Sequence, residues 1–143
     1  ITLEDKQETT KLLLETGCTI DEINTIRKHI SKSKGGLIAK AAHPAKIVSL
    51  ILSDVIGDKL DTIASGPTYP DNTTFRDCLG IIELYNLENK LPKRVHRLIR
   101  QRLSDKKYET PDNKSHWFDN VYNVVIGNNK LALDAAAKKA TEL

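Results

Sequence analysis

Two acids, Asp54 and Asp58, follow a largely apolar run from Ile47 to Leu52, with Ser53 just before them. A short run rich in β-branched residues reads as a strand buried on both faces, the pattern of a central strand in a parallel sheet. The acids then fall at its carboxyl end, where open α/β sheets bind their ligands. Carboxylates there can hold Mg²⁺ together with waters and phosphates, or orient and deprotonate a substrate hydroxyl. The plainer reading makes Asp54 a turn cap and Asp58 a solvated loop acid. Spacing alone leaves both open.

A second polar segment, Ala64-Ser-Gly-Pro-Thr68, comes soon after. Pro67 stiffens it, Gly66 permits a close approach, and Ser65 and Thr68 offer hydroxyls to an anionic ligand. Upstream, Lys34-Gly35-Gly36 precedes a short helical stretch that Pro44 ends, so backbone N–H groups there would be open to an anion. A plain turn between helices explains the same glycines. No Gly-x-x-x-x-Gly-Lys-Ser/Thr occurs, so a P-loop is not supported. The four histidines, His29, His43, His96 and His116, have no metal-like spacing and read as surface or capping residues.

The elements that must position these groups follow from patterning. Thr2 opens a helix carrying acids in its first turn, with Leu3, Leu13 and Leu14 inward and Gly17 as its stop. Thr19 and Glu22 form a capping box for a second helix ending near Ser33. Its inner face is Ile23, Ile26 and Ile30, and Arg27, Lys28 and His29 lie opposite. Asp71, Asn72 or Thr73 caps a third long helix with Phe75, Cys78, Leu79 and Ile82 facing in. Pro92 starts a fourth, built on Val95, Leu98, Ile99 and Leu103. Its many basic residues lack interleaved aromatics and read as a solvated face. Residues 104–115 read as an exposed loop. Asn120 to Gly127 forms a second buried strand, and Gly127-Asn-Asn129 turns into a last helix from Lys130 to Leu143. Leu131, Leu133, Ala136, Ala137 and Ala140 give that helix a flat face for packing on a sheet.

Strands separated by helices are the mark of βαβ units, so the fold class is α/β: a parallel sheet with flanking helices. Two strands do not complete such a sheet. With no methionine among 143 residues, the chain reads as a piece of a longer protein. A net charge of +3, from 22 basic and 19 acidic residues, is too small to argue for nucleic acid. No apolar stretch is long enough for a membrane span. Cys18 and Cys78 alone suggest neither disulfides nor zinc, and point to reduced thiols in a cytosol-like compartment.

Several segments, in this order, carry a resemblance: Ile26-Arg-Lys-His-Ile-Ser31, Lys34-Gly-Gly36, Ser49-Leu-Ile-Leu-Ser-Asp-Val-Ile-Gly-Asp58, Ile63-Ala-Ser-Gly-Pro-Thr68 with Asp71, and Val125-Ile-Gly-Asn-Asn129. Together they resemble the glycerate kinase family with a leucine-rich C-terminal domain, some members of which are labelled hydroxypyruvate reductase. The resemblance covers nearly the whole chain. It implies a Rossmann-like N-terminal domain, of which residues 1–143 would be part, and a C-terminal domain absent here. It also implies ATP-dependent phosphorylation of D-glycerate with Mg²⁺, giving 2-phosphoglycerate, by the full-length protein and not by this piece alone. The family's functional lysine, in a Gly-Lys-Ala-type segment, belongs upstream and is absent from this chain. On the matching positions Asp54 and Asp58 become the catalytic acids and the candidate metal ligands. Ser53, Ser65, Gly66, Thr68, Arg27, Lys34, Gly35, Gly36 and Asn128 become substrate- or phosphate-binding residues. Two other functions stay open: a hydroxypyruvate reductase using NAD(P)H, for which no Gly-x-Gly-x-x-Gly follows either strand, and a non-catalytic ligand-binding module.

Overall fold

The structure, a computed structural model, describes residues 1–142; the expected helix end at Leu143 lies outside the described residues. Helices α1 (Leu3–Glu15) and α2 (Ile20–His29) each begin at a capping box, Thr2 with Asp5 and Thr19 with Glu22. In each, the threonine hydroxyl accepts the third residue's N–H while that residue's carboxylate accepts the cap's own N–H, satisfying two otherwise orphaned donors. A short helix α3 (Leu37–Ala42) leads to strand β1 (Ile47–Ser53). Helix α4 (Phe75–Leu84) has a third capping box, Thr74 with Asp77, so the cap falls just after the expected Asp71, Asn72 or Thr73. Helix α5 (Lys93–Arg102) follows Pro92, then strand β2 (Val121–Asn128) and helix α6 (Asn129–Thr141).

The core lies among the helices. Leu13, Ile23, Ile26, Ile30, Phe75, Cys78, Ile82, Leu87, Val95 and Ile99 are buried against one another, drawn from α1, α2, α4, α5 and their connections. Each large apolar side chain sealed in this way stabilises the fold by about 2 kcal/mol. The inward face expected for α1 is only partly realised. Leu13 is sealed, whereas Leu3 and Leu14 are exposed, because α2 and α5 cover a narrower stripe than the leucines span.

Strands β1 and β2 pair in parallel, as the α/β reading expected. Burial of β1 on both faces is not found. Ile47, Ser49 and Ile51 are half-buried, but Val48, Leu50 and Leu52 are 58%, 66% and 76% exposed, and Tyr122, Val124 and Ile126 share that open face. An apolar run reports composition, not what covers it. Helix α6 is exposed along its whole described length, including Leu131, Leu133, Ala136, Ala137 and Ala140, so the expected packing of its flat face on a sheet is also absent.

Two surface assignments are overturned as well. Lys28 and His29 are buried and the second helix stops at His29, not near Ser33. The 104–115 loop is not wholly exposed: Thr110 and Pro111 are buried, and Glu109 reaches the start of α4.

Candidate active site at the strand ends

Parallel pairing brings the carboxyl ends of β1 and β2 to one edge, with Ser53 opposite Asn128. An irregularity between Ile51 and Leu52 makes Leu52 pair with Gly127 and leaves Ile126 as the extra residue. Bulges of this kind re-aim side chains near sites. A Cβ at Gly127 would fall 2.8 Å from a methyl of the exposed Leu52, so a side chain there requires that leucine to turn aside.

The loop after β1 is held by specific bonds. Ser53 Oγ contacts both the N–H and the carbonyl of Val55, at 3.3 Å each, so this serine shapes the loop. Asp58 adopts φ +50°, a left-handed conformation that aspartate and asparagine tolerate better than most residues. Its Oδ2 accepts a 2.6 Å hydrogen bond from Asn128 Nδ2. Asn128 Oδ1 accepts from Leu131 N at 2.9 Å, so one side chain both orients Asp58 and caps α6. Asn129 Nδ2 donates to the Asp54 backbone carbonyl at 3.4 Å. The exposed Asp54 carboxylate is left to solvent.

A concavity of about 750 Å³ opens here, lined by Ser53, Asp54, Asn128, Asn129, Leu131 and Ala132 among others. Asp54 and the amino end of α6 line it together. Backbone N–H groups and the dipole favour negative charge at such a helix start. A carboxylate facing N–H donors suits a ligand that carries phosphate oxygens and a hydroxyl.

The other candidates form a second group. Gly35 N donates to the Ser65 carbonyl at 2.9 Å, Gly36 N to the Gly66 carbonyl at 2.7 Å, and Ile38 N to the Pro67 carbonyl at 3.1 Å. The Lys34 ammonium adds a 2.8 Å bond to the Ala64 carbonyl. The two glycine N–H groups are therefore not open to an anion, contrary to the sequence expectation. They fix the 64–68 turn. That turn is strained: Ala64, Ser65 and Gly66 all have positive φ, at +52°, +63° and +59°. Ser65 Oγ, buried, donates to Asn24 Oδ1 at 2.9 Å, and Arg27 donates to the same oxygen at 3.3 Å. Thr68 donates to Asn123 Oδ1 at 2.6 Å and lies 3.0 Å from Ser49 Oγ, anchoring the turn to both strands.

Among the described residues no group of three or more His, Cys, Asp or Glu could hold a metal ion. Asp54 and Asp58 supply two carboxylates. Two carboxylates are too few for a closed protein cage; Mg²⁺, which keeps waters and takes substrate phosphates as ligands, asks for only one or two.

Comparison with known proteins now decides the family. Residues 1–100 match the model of a family described as a domain of unknown function, DUF4147. The chain belongs to the DUF4147 family. Over all 143 residues this DUF4147 chain is 48% identical to a glycerate kinase of Rattus norvegicus and 47% identical to a glycerate 2-kinase of Pyrococcus horikoshii. It covers 26% and 32% of those two proteins, so it spans about a quarter to a third of the relatives it matches. A crystal structure of glycerate kinase (EC 2.7.1.31) from Thermotoga maritima matches 99% of the DUF4147 chain, using 31% of its own, at 44% identity and a TM-score of 0.80. A Pyrococcus horikoshii protein of known structure matches 99% of the chain, using 32% of its own, at 45% identity and a TM-score of 0.83.

Sequence reasoning assigns no supporting role to the residues that hold the site of this DUF4147 chain, although Ser49, Asp71 and Asn129 stand in the segments that carry the resemblance. Asn24, Ser49 and Asn123 hold the turn, Asn129 holds the acidic loop, and Lys28 and Asp71 pair in the interior. Asn24 and Lys28 share α2 with its apolar face, and only their burial, not their type, reveals them.

Proposed function

We propose that the full-length protein transfers the terminal phosphate of ATP to a hydroxyl of D-glycerate, at the 2-position, with Asp54 and Asp58 as its acidic pair. The observation that carries this reading is the exposed Asp54 carboxylate lining one concavity with the Asn128-capped start of α6. Glycerate kinase and glycerate 2-kinase relatives at 47–48% identity support the substrate class.

In this reading one aspartate accepts the proton of the substrate hydroxyl as its oxygen forms a bond to the γ-phosphorus. The bond from that phosphorus to the β–γ bridging oxygen breaks, and ADP leaves. Phosphoryl transfer asks mainly for positioned charge, not covalent work. Asn128 fixes the Asp58 carboxylate by donating to it, and the start of α6 attracts phosphate oxygens. The acidic pair would also hold Mg²⁺, which would supply neutralising charge for the phosphates. Ser53 shapes the acidic loop. Ser65, Gly66 and Thr68, braced by Gly35 and Gly36, form a turn outside that concavity, and Arg27 and Lys34, which bond to Asn24 and to Ala64, bring positive charge to the turn. The two thiols are free and buried, in keeping with a reducing, cytosol-like compartment. No described helix is long and apolar enough to cross a membrane.

Incubating the full-length protein with ATP, Mg²⁺ and D-glycerate tests the reading directly. Formation of ADP with 2-phosphoglycerate, read by phosphorus NMR, is the expected result. Oxidation of NAD(P)H by hydroxypyruvate without any need for ATP would replace the kinase with the reductase.

A further inference from the structure

The first two helices enclose a cleft whose charge is unbalanced. Lys6 of α1, Arg27 of α2 and Lys34 beyond it line one concavity, with the hydroxyls of Thr10 and Ser31 between them and Leu14 exposed on its wall. Among the described residues only Lys11 and Glu15, at 3.8 Å, form an ion pair there. The partners seen for Arg27 and Lys34 are neutral: the Asn24 amide oxygen and the Ala64 carbonyl. Burial holds the Lys34 ammonium below its ordinary pKa, and Arg27 and Lys6 add repulsion. Three cations gathered in a partly desolvated cleft repel one another unless an anion joins them.

We infer that this α1–α2 cleft binds the phosphate group of a small organic phosphate, with Lys6, Arg27 and Lys34 on the phosphate and Leu14 and Ile30 against its apolar body. The inference places the phosphate met by Arg27 and Lys34 in this cleft and adds Lys6, Thr10 and Ser31 around it. Arginine and lysine around one phosphate make charge-assisted hydrogen bonds, the strong class. The residues lining this cleft are distinct from those lining the concavity at the strand ends. Lys34 links the cleft to the 64–68 turn, since its ammonium also bonds the Ala64 carbonyl. A phosphate drawing on Lys34 therefore competes with, or tightens, the hold on that turn.

The test is calorimetric titration of the full-length protein with inorganic tripolyphosphate at low salt. Lys6→Gln should weaken binding by about tenfold or more, the scale of one charged contact, while Lys6→Arg should stay within about twofold. Lys114→Gln removes the same charge from a different concavity and should also stay within about twofold. No binding by the wild type, or equal weakening by Lys6→Gln and Lys114→Gln, overturns the inference. The two readings separate cleanly. Glycerate phosphorylation with tripolyphosphate binding indifferent to Lys6→Gln removes the cleft site alone. Binding sensitive to Lys6→Gln in a protein that transfers no phosphate removes the kinase alone.

Discussion

The ammonium of Lys28 lies 3.2 Å from the carboxylate of Asp71, and the two side chains are only 6% and 0% exposed. Thr73 and Thr110 also donate to that carboxylate, at 2.7 and 2.9 Å, so α2 and two distant loops meet at one buried acid. Next to it, His29 Nε2 lies 3.2 Å from Glu109, whose carboxylate in turn accepts the first N–H of α4. Burial of a charge is tolerable only when it is paired and hydrogen-bonded in this way.

Removing one partner should therefore cost far more than removing both. Asp71→Ala leaves the Lys28 charge alone in the interior and should destabilise the protein by about 3–5 kcal/mol. The double change Lys28→Met with Asp71→Leu should recover most of that loss. Urea unfolding midpoints decide it. A double variant as unstable as the single one would show that the threonine hydrogen bonds to Asp71, not the charge pairing, govern the site.

The close approach at Gly36 yields a second expectation. Its φ is +76°, and an added Cβ would come within 2.7 Å of the Phe118 ring. Gly36→Ala should lose about 1–2 kcal/mol to the left-handed backbone alone, with the clash added to it. It should also loosen the 64–68 turn that Gly36 N–H secures. Faster proteolysis near Ala64 reads out that loosening, and an unchanged cleavage rate contradicts it.

The helical half of the fold was readable because caps and stripes are local signals. Thr19 with Glu22, and Val95 with Ile99, need only their neighbours to be interpreted. The parallel strands were readable from β-branched runs, but their burial was not, since Val48 and Leu50 say nothing about what lies above them. Lys28 and His29 were misplaced because charge normally marks the surface, and their partners Asp71 and Glu109 are far along the chain. The site divides in the same manner. Asp54 and Asp58 stood out at a strand end. The glycines of Lys34-Gly-Gly36 were recognised as special but given the wrong task, because only the folded chain shows the carbonyls of residues 64–67 waiting for their N–H groups.

Cys78 is fully buried, and desolvation first, then the charges of Asp71, Glu109 and Asp77, raise its thiol well above the ordinary range. A neutral thiol in the fold and an ionisable one in the unfolded chain favour the fold below the unfolded pKa, about 8.5. That contribution declines as pH rises past this value. Native Cys78 should resist alkylation at pH 8 and react only on unfolding, which mass spectrometry can follow. Rapid labelling of Cys78 in native protein would contradict the burial.

Asn128 serves Asp58 and the start of α6 together. Asn128→Asp retains the cap, because a carboxylate also accepts from Leu131 N, but it sets two carboxylates against each other. It should lower glycerate phosphorylation at neutral pH while leaving thermal stability near that of the wild type. Asn128→Ala should lose both the activity and about 1 kcal/mol of stability. Equal stability losses in the two variants would show that repulsion, not orientation, dominates at this position.

The most direct measurement is the rate of ATP-dependent D-glycerate phosphorylation by full-length Asp54→Asn and Asp58→Asn variants. Asparagine tolerates the left-handed backbone at position 58 and can still accept the Asn128 hydrogen bond, so the change removes charge and little else. A fall of at least about 10²-fold in turnover is predicted, the scale of one lost charged group at the reacting centre. Wild-type turnover in both variants would contradict the assignment of the chemistry to this strand end.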